Sequence, residues 1–477
     1  MMKERVCDIG LFGLGVMGRN FVLNMADRGF SVGVYNRTDQ KTREFMERDV
    51  KDRNIQAGYT VKDFLSLLRP PRSVLISVPA GDPVDAVIDE ITLGLEPGDL
   101  IVDMGNSHFS DTDRRYQTLT QKRWHFLGMG ISGGEYGARH GPSLMPGGSS
   151  EGYERIRAVM EASAAQVDKT PCVAYLGPGS AGHYVKMVHN GIEYGIMQLI
   201  AETYDLMKRG MAYNADQLHA VYDVWNQGEL KSYLMEITSE IFLKNDEKTK
   251  NPLVDMILDH ARQKGTGKWT SVEALEHQVP APTIHAGVGA RDMSVYKDER
   301  KRASETLRGP HGNDPHLDKH FVDHLKNALY VGMVGCYAQG MALMKQADKT
   351  YEDALDLETV ATIWRGGCII RAEMLENIRN AYHRQPDLSN LLLDPRFSED
   401  LGARQEDLRH VVCTAARLGI PAPALMTSLA YYDGYRSERL PANLIMAQRD
   451  YFGAHRYERL DESGTFHAQW AESEVKG

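Results

Sequence analysis

Short runs of apolar, largely β-branched residues alternate with longer helical patterns over the first third of the chain. The runs lie at 7–12, 31–35, 73–78, 99–103, 124–129 and 172–176. Short apolar strands separated by helices are typical of a mainly parallel sheet with helices on both faces. The pattern therefore predicts an α/β domain of the Rossmann-type, doubly wound class.

The alternation stops at a glycine-rich segment, 177–182, and helix-period segments dominate from there to about residue 435. Polar or glycine-rich stretches at 244–251 and 308–316 predict surface loops. Residues 440–477 have no clear period and predict an arm that must dock on something. We therefore expect a Rossmann domain at 1–178, a large all-α domain at 179–438 and a C-terminal tail at 439–477.

Charge and composition exclude several classes of protein. The 477 residues include 55 Lys or Arg and 65 Asp or Glu, a formal net charge of −10. This balance gives no global electrostatic case for nucleic acid or an anionic membrane, and no apolar stretch approaches the ~20 residues that span a bilayer. The five cysteines form no CxxC pair, which indicates neither disulfides nor a thiolate metal site and favours the cytoplasm.

A glycine motif follows the first predicted strand and opens a predicted helix. It reads Gly13-Leu14-Gly15-Val16-Met17-Gly18. In this context the first glycine permits a tight turn, the second lets a pyrophosphate approach the backbone, and the third allows close helix packing. The motif predicts a dinucleotide site, the alternative being a glycine-rich turn without a ligand.

The end of the second predicted strand indicates which dinucleotide binds. An NAD site usually carries Asp or Glu there, for the ribose 2′-hydroxyl. This chain has Asn36-Arg37-Thr38. Since a guanidinium binds a 2′-phosphate that a carboxylate would repel, NADP is expected; the alternative is an exposed Arg37 beside an NAD site.

Three further segments follow predicted strands, at the edge where doubly wound sheets bind ligands. They are Val78-Pro79-Ala80-Gly81, Gly105-Asn106-Ser107 and the glycine-rich segment 128–135. The last contains Ser132, Gly133 and Gly134 and predicts a loop that offers backbone N–H groups to an anion. A plain flexible turn is the alternative.

One predicted helix, 182–208, carries a polar stripe on an otherwise apolar surface. Lys186, His189, Asn190 and Glu193 fall at i, i+3, i+4 and i+7 and therefore project from one face, which Tyr194 extends. The rise from Lys186 to Glu193 is ~10 Å, so both side chains can reach one small substrate. The stripe predicts a lysine base and a glutamic acid, against the alternative of a solvent-facing stripe.

A basic cluster farther along the chain predicts a phosphate pocket. Lys264 would supply a point charge, Thr266 a hydroxyl donor and Arg291 a guanidinium fork. The spacing is not that of a P-loop, so nucleotide hydrolysis is not indicated.

Three histidines recur every four residues, at His316, His320 and His324. A catalytic zinc helix of the HExxH type would need Glu at position 321, where this chain has Phe321. A histidine-rich helix surface is the expected alternative, so no metal is assigned.

Seven motifs make the chain resemble the decarboxylating 6-phosphogluconate dehydrogenase family. They read GLGVMG at 13–18, NRT at 36–38, SGGEYGARHGPSLMPGG at 132–148, HYVKMVHNGIEYGIMQLI at 183–200, KGTGKWT at 264–270, WRGGCIIR at 364–371 and RDYFGAH at 449–455. The resemblance runs from about residue 7 to residue 470. It implies oxidation and decarboxylation of 6-phosphogluconate to ribulose 5-phosphate with NADP, a step of the pentose phosphate pathway.

The resemblance also implies roles and a homodimer whose tails reach the partner's site. Lys186 would be general base and then acid, and Glu193 the acid that protonates C1. The substrate contacts implied are Asn106, Ser132, Gly133, Gly134, His189 and Asn190, with Tyr194, Lys264, Thr266, Arg291 and the partner-supplied Arg449 and His455 at its phosphate. Val78, Ala80 and Asn106 are expected beside the cofactor. Departures from the family pattern are Pro79, Met104, Tyr136 and the end after Trp470.

Two other functions fit parts of this pattern. One is a dehydrogenase of the same superfamily that acts on a small unphosphorylated 3-hydroxy acid, which would not need Lys264 with Arg291. The other is a non-catalytic, NADPH-binding scaffold, against which the presence of Lys186 and Glu193 argues.

Overall fold

The computed structural model of the chain describes residues 6–310, 312, 317, 319–351 and 355–470. Its contacts divide the chain into two units, Met1–Ser428 and Leu429–Gly477. The first unit contains a sheet followed by helices, and the second contains the end of the helix Pro423–Tyr435, the helix Ala442–Gly453 and a short hairpin. The predicted domain boundaries at 178 and 438 stay a prediction.

Eleven strands occur in the described ranges. They are β1 Ile9–Phe12, β2 Val32–Tyr35, β3 Ile55–Ala57, β4 Ser73–Ile76, β5 Leu100–Asp103, β6 His125–Ser132, β7 Ser143–Gly148, β8 Gln166–Val167, β9 Thr170–Pro171, β10 Tyr457–Glu458 and β11 Thr465–Phe466. The first seven form one sheet in the order β3-β2-β1-β4-β5-β6-β7. All its pairs are parallel except β6 with β7.

Twenty α-helices accompany these strands in the described ranges. They are α1 Val16–Asp27, α2 Asp39–Arg48, α3 Val61–Ser66, α4 Asp82–Thr92, α5 Phe109–Gln121, α6 Gly134–His140, α7 Ser150–Ser163, α8 Ala181–Asp205, α9 Ala215–Asn226, α10 Tyr233–Leu243, α11 Leu253–Met256, α12 Thr266–Glu276, α13 Pro282–Val295, α14 Lys297–Thr306, α15 His320–Ala347, α16 Leu357–Trp364, α17 Met374–Arg384, α18 Pro395–Leu418, α19 Pro423–Tyr435 and α20 Ala442–Gly453. A π-helical turn, Leu206–Gly210, continues α8, and 3-10 turns lie at Asp348–Tyr351 and Leu391–Leu393. The predicted class, a doubly wound α/β part followed by a large helical part, is confirmed.

The core of the sheet part lies on both faces of the strands. Leu75 packs into one apolar cluster, whereas Val74 and Ile76, its neighbours in β4, pack into the other. Successive side chains of a strand point to opposite faces, so a strand with all four residues buried must be covered twice. This is why the chain shows continuous apolar runs here rather than alternation.

Three details of the predicted sheet are wrong. Residues 128–132 belong to β6 rather than to a loop, and β3 and β7 were not predicted as strands. The segment 172–176 forms only an isolated bridge, Val173 with Leu144 of β7. The β7 sequence, SLMPGG, contains Pro146 and two glycines, and an edge position tolerates the proline that a central strand would exclude.

Helix α8 lies directly on the end of the sheet because glycines face each other there. A Cβ on Gly182 would collide with the carbonyl oxygens of Met145 and Gly128, and a Cβ on Gly130 would collide with the Cβ of Lys186. The same helix packs against α12, α13 and α15 on its other sides. The long helix predicted at 182–208 is therefore confirmed as a buried central element.

The predicted histidine surface and loops are partly described. His320 is exposed, and the Nδ1 of His324 lies 2.5 Å from the Oδ1 of Asp407. His316 lies outside the described residues, as do 311 and 313–315 of the predicted loop. Among the residues that the structure describes, no group of three His, Cys, Asp or Glu side chains could hold a metal ion. Of the helices in the described ranges, none is both long and apolar enough to cross a membrane.

The unit Leu429–Gly477 is organised around one carboxylate. Asp450, on α20, is fully buried and accepts hydrogen bonds from the backbone N–H groups of Arg456 and Ala468, from the His467 ring and from the Trp470 indole, all between 2.7 and 3.0 Å. These bonds fasten the chain on both sides of the β10–β11 hairpin to the helix. The helix itself was not predicted from the sequence.

Candidate active site

A cavity of about 770 Å³ opens at the carboxyl ends of the central strands. Its walls come from the loops after β1, β4 and β5 and from α8, α12 and α13. Residues predicted as functional that line it are Gly15, Val16, Met17, Val78, Ala80, Asn106, Asn190, Glu193, Tyr194, Lys264, Thr266 and Arg291. The edge between β1 and β4 is the switch point of the strand order, where doubly wound sheets bind their ligands.

The loop after β1 fits a dinucleotide. Gly13 has φ +110°, and a Cβ on Gly18 would collide with the Gly13 carbonyl, so neither position accepts a side chain. A Cβ on Gly15 would meet nothing within 4 Å, which leaves open space in front of the α1 N-terminus. The first turn of α1 carries no acidic residue. Free N–H groups and an accessible backbone are what a pyrophosphate requires.

The residues after β2 complete that fit. The side chain of Asn36 accepts a hydrogen bond from the backbone N–H of Leu14 at 3.0 Å, which joins the β1 and β2 loops. Arg37 and Thr38 are both exposed beside it. The predicted cation for a 2′-phosphate is therefore placed at the same end of the sheet as the glycine loop.

The polar stripe of α8 is buried rather than solvated. Lys186 is 6% exposed, and its Nζ lies 3.5 Å from the Nδ1 of His189. The same Nδ1 lies 3.8 Å from the Oε2 of Glu193, which also accepts a hydrogen bond from Asn190 at 3.1 Å. Lys186 and His189 stand behind the cavity wall that Asn190 and Glu193 form. The solvent-face alternative is wrong.

Burial drives the protonation equilibria of this stripe. It lowers the pKa of Lys186 below its ordinary 10.5, against the opposing effect of Glu193. Burial likewise raises the pKa of Glu193 above 4.5, although Lys186 and Arg291 oppose this. Burial and the adjacent Lys186 hold the pKa of His189 well below its usual range. Both pKa values therefore shift toward neutral pH, which favours the neutral form of Lys186 and the protonated form of Glu193.

Ser132 joins the sheet to the stripe and to the helical part. Its Oγ lies 3.1 Å from the Nε2 of His189 and accepts a hydrogen bond from the backbone N–H of Ile369 at 3.3 Å. The next residue, Gly133, has φ +119°, and a Cβ there would lie 2.5 Å from the Gly367 carbonyl oxygen. Together with Gly134, at φ +62°, these glycines form the turn that opens α6.

The basic cluster lines the same cavity as the glycine loop. The guanidinium of Arg291 stacks 3.5 Å from the centroid of the Tyr194 ring. Lys264 is exposed, and Thr266 begins α12 after Gly265, which has φ +105°. A Cβ on Gly267 would collide with the Tyr194 ring, so this glycine lets α12 approach α8. The residues predicted to form a phosphate pocket thus come from α8, α12, α13 and the segment just before α12.

Arg449 and His455 belong to the unit Leu429–Gly477. Arg449 lies near the end of α20 and His455 two residues after it, and both are exposed. Their predicted part in a partner's site stays a prediction.

Several cavity residues were missed by the reading of the sequence. They are Phe21, Ser77, Ala138, Arg262 and Trp269. Arg262 lies two residues before Lys264, so its membership in the basic cluster was a signal that could have found it. The departures Pro79 and Met104 also line the cavity, whereas Tyr136 is 71% exposed.

Comparison with known proteins shows the family of the chain that forms this cavity. The model for the NAD binding domain of 6-phosphogluconate dehydrogenase matches residues 8–177, and that for the C-terminal domain of 6-phosphogluconate dehydrogenase matches residues 182–470. The chain belongs to the 6-phosphogluconate dehydrogenase family. A decarboxylating member from Synechococcus elongatus is 53% identical over 97% of this chain and 98% of its own.

Other members of the family differ in their named cofactor. Two Bacillus subtilis enzymes, one named NADP(+)-dependent and one NAD(+)-dependent, are 50% and 49% identical over 97% of this chain and 98% and 99% of their own. The Plasmodium falciparum member, solved alone, with its cofactor NADP+ and with its substrate 6-phosphogluconate, has a TM-score of 0.94 and 46% identity, covering 97% of this chain and 100% of that one. Overall identity therefore does not separate the two cofactors.

The coupling between Glu193 and Lys186 can be measured directly. Glu193→Gln removes the negative charge that favours the protonated amine, so the pKa of Lys186 should fall further below 10.5. Titration of ¹³C-labelled lysine side chains by NMR, with Lys186→Met to assign the signal, gives the value. Glu135→Gln, an exposed carboxylate on α6, is the matched control and should leave it unchanged. An unshifted Lys186 in Glu193→Gln would show that the two groups are not coupled.

Proposed function

We propose that this protein catalyses the oxidative decarboxylation of 6-phosphogluconate to ribulose 5-phosphate and CO₂, with NADP as the redox cofactor. The observation that carries the proposal is one cavity lined by the glycine loop after β1, by the cations Lys264 and Arg291, and by Asn190 and Glu193 of the stripe that also holds Lys186. The relatives named above, one of them solved with this substrate and cofactor, support it.

The cofactor would lie on the glycine loop, with Val78, Ala80 and Asn106 along its path and Asn36, Arg37 and Thr38 at its 2′-phosphate. When bound, it supplies the hydride acceptor for oxidation of the substrate carbinol. Arg37 carries the choice of cofactor because a guanidinium pairs with a phosphate and has no such partner on a ribose hydroxyl.

Substrate binding divides into a positioning set and a phosphate set. Asn106, Ser132, Gly133, Gly134, His189 and Asn190 would hold the acid and its hydroxyl groups. Tyr194, Lys264, Thr266 and Arg291 would hold the phosphate. The stacking of Arg291 on Tyr194 fixes the guanidinium before the phosphate arrives, which reduces the ordering cost of binding.

In the first step the C3 hydroxyl loses its proton to neutral Lys186 while C3 becomes a carbonyl. The lowered pKa of this buried lysine makes its neutral form accessible. His189 lies beside the amine, and the depressed pKa of its ring keeps it from competing as a second cation.

In the second step the bond from C2 to the carboxylate breaks and CO₂ leaves. The electron pair moves toward the C3 oxygen, which takes the proton from Lys186, so the amine stabilises the developing charge. Glu193 then gives a proton to the carbon that becomes C1, and Lys186 takes back the proton of the enediol hydroxyl. The raised pKa of Glu193 favours the protonated form that this step needs.

We further propose a homodimer in which each tail completes the partner's phosphate site with Arg449 and His455. The unit Leu429–Gly477 supports this because it exposes large apolar side chains, among them Leu444, Ile445 and Phe452. An apolar surface of this kind on a small unit is typical of an interaction site.

We place the enzyme in the cytoplasm. All five cysteines are free, and four of them are buried. Unpaired thiols favour a reducing compartment.

The reaction is tested with 6-phosphogluconate labelled at its carboxyl carbon. The wild-type enzyme should release one labelled CO₂ for each NADPH formed. Lys186→Met should lower kcat by about 10²–10⁴ with little change in NADPH affinity, because both proton transfers lose their carrier. Lys268→Met, an exposed lysine of α12, is the matched control.

The outcome separates the alternatives. NADPH formation without CO₂ would indicate a non-decarboxylating 3-hydroxy acid dehydrogenase, and NADPH binding without turnover a scaffold. A Lys186→Met variant that keeps more than half of kcat would remove the lysine from the mechanism.

Arg37→Ala tests the choice of cofactor. The lost charged hydrogen bond, worth ~1.5–3 kcal/mol, should raise KM for NADP⁺ by about 10- to 150-fold with little change in kcat. Kinetics with NAD⁺ should stay as in the wild type. Arg43→Ala, which removes an exposed guanidinium stacked on Tyr59, is the control. Equal losses with both cofactors would make Arg37 structural.

The shared site is tested by mixing two inactive variants. Lys186→Met and Arg449→Ala, unfolded and refolded together, should form heterodimers with one intact site of two, so about a quarter of wild-type activity returns. Lys186→Met mixed with Glu193→Gln is the control and should stay inactive, since each core carries a lesion. No recovery in the first mixture, with heterodimers confirmed by mass, contradicts tail exchange.

A further inference from the structure

Arg115, on α5, is a buried cation outside the cavity wall, with 2% of its side chain exposed. Its guanidinium uses all five of its N–H groups. Nε and Nη2 donate to the two carboxylate oxygens of Asp85 at 2.9 and 2.8 Å, and Nη2 also donates to the Gly81 carbonyl at 3.1 Å. Nη1 donates to Asp103 at 3.3 Å and to the Ser107 hydroxyl at 3.2 Å. A fully satisfied buried guanidinium holds every one of these acceptors in place.

The first of the held segments is the loop after β4. Ser77, Val78, Pro79 and Ala80 line the cavity, and Gly81 follows them with φ +88°. Asp85, the other partner of Arg115, lies in the first turn of α4. Arg115 therefore holds the loop at its end and the helix that the loop enters.

The second held segment is the loop after β5. Asp103 ends the strand, and its Oδ1 accepts the backbone N–H of Gly105 at 2.9 Å. The Ser107 hydroxyl donates to the other oxygen of Asp103 at 2.6 Å. Met104, Gly105 and Asn106, between these anchors, line the cavity. The guanidinium bonds both anchors and so fixes the turn that presents Asn106.

The two carboxylates depend on the positive charge of Arg115. Asp103 is fully buried. The hydrogen bond from Arg115 lowers the pKa of Asp85 to about 2, so this carboxylate stays ionised at neutral pH. Removing the cation would leave a buried carboxylate without its charge partner, which is far more costly than losing an exposed ion pair.

The neighbouring arginine provides a contrast. Arg114 also donates to both oxygens of Asp85, at 3.1 and 2.9 Å, but 55% of its side chain is exposed. It has no hydrogen bond to Gly81, Asp103 or Ser107 among the described contacts. Two adjacent arginines thus share one carboxylate, and only one of them reaches the cavity loops.

We propose that Arg115 is a positioning residue, whose guanidinium fixes the loops 77–81 and 103–107 in the arrangement that receives the cofactor and the substrate. The inference rests on the proposed function, since Val78, Ala80 and Asn106 are the loop residues assigned to ligands there. Arg115 acts through these loops and does not itself line the cavity.

The test compares Arg115→Lys with Arg114→Lys in the full-length protein. Lysine keeps the charge but donates from a single nitrogen. One nitrogen cannot reach the acceptor groups of all four residues that the planar guanidinium of Arg115 bonds. Hydrogen exchange of 77–81 and 103–107, followed by mass spectrometry, reads the loops directly, and the Gly105 amide is the sharpest reporter. NADPH binding, followed by its fluorescence, and steady-state kinetics complete the readouts.

Arg115→Lys should accelerate exchange in both loops by about tenfold or more, weaken NADPH binding about tenfold and lower kcat/KM by ~10- to 100-fold, as misplaced positioning groups do. Exchange in α13 should not change. Arg114→Lys should stay within about twofold of the wild type in every readout, as for an exposed pair. The proposal is overturned if the loops of Arg115→Lys exchange hydrogen at the wild-type rate, or if they exchange faster while NADPH binds as tightly as before. It is also overturned if Arg114→Lys has effects equal to those of Arg115→Lys.

Ser107→Ala covers the case in which Arg115→Lys does not fold. It removes one anchor of one loop, so exchange should quicken at 103–107 and not at 77–81; no change at 103–107 would overturn the proposal. Exchange and NADPH binding do not require turnover. If the wild-type enzyme fails to oxidise 6-phosphogluconate, the proposed function fails while the loop measurements still decide the role of Arg115.

Discussion

The contact between α8 and the antiparallel edge of the sheet is the constraint on which the site depends. Glycines at 128, 130, 147 and 182 remove the side chains that would separate the helix from β6 and β7. The backbone of the helix therefore rests on the strands themselves, with Lys186 directly over Gly130. A Cβ at Gly147 or Gly182 would strike backbone atoms, so neither position accepts a larger residue unless one element shifts against the other. A Cβ at Gly128 would strike the side chains of Thr112 and His183, and one at Gly130 the side chain of Lys186.

Close packing at this contact also sets the chemistry. With the helix pressed onto the sheet, Lys186 and His189 lose their water, and burial lowers the pKa of each. Glu193, one turn farther along than His189, lines the cavity, so the carboxyl group that we propose as the proton donor to a substrate carbon is the accessible one. The same stripe on a solvated helix would hold an ordinary charged lysine, which is a poor base at neutral pH.

The cavity carries groups suited to anions in a protein whose overall charge is negative. The glycine loop offers backbone N–H groups, and Lys264, just before α12, and Arg291, on α13, offer positive charges. Such local arrangements dominate because long-range fields are screened by salt, whereas a pocket of fixed donors is not. Arg115 and its carboxylates form a second charge cluster, outside the cavity wall, that bonds the loops after β4 and β5.

The sequence by itself determined the parts whose signal is local. The parallel strands carry continuous apolar runs, the glycine motif stands between a strand and a helix, and the spacing of Lys186 and Glu193 places them on one helix face. Each of these follows from the periodicity of the backbone, and the structure has all three.

Only the tertiary structure decided what depends on contacts between distant segments. The β7 strand, with its proline and glycines, exists because β6 pairs with it at a sheet edge, and residues 172–176 remain a bridge beside it. Ser132 meets Ile369 from 237 positions away, and Arg262 and Trp269 reach the cavity through the placement of α12. Arg115 reads in the sequence as half of an Arg-Arg pair on a polar helix. Its burial and its five hydrogen bonds arise only when α4, α5 and the ends of β4 and β5 come together. No local sequence pattern indicates which of the two adjacent arginine side chains points into the protein.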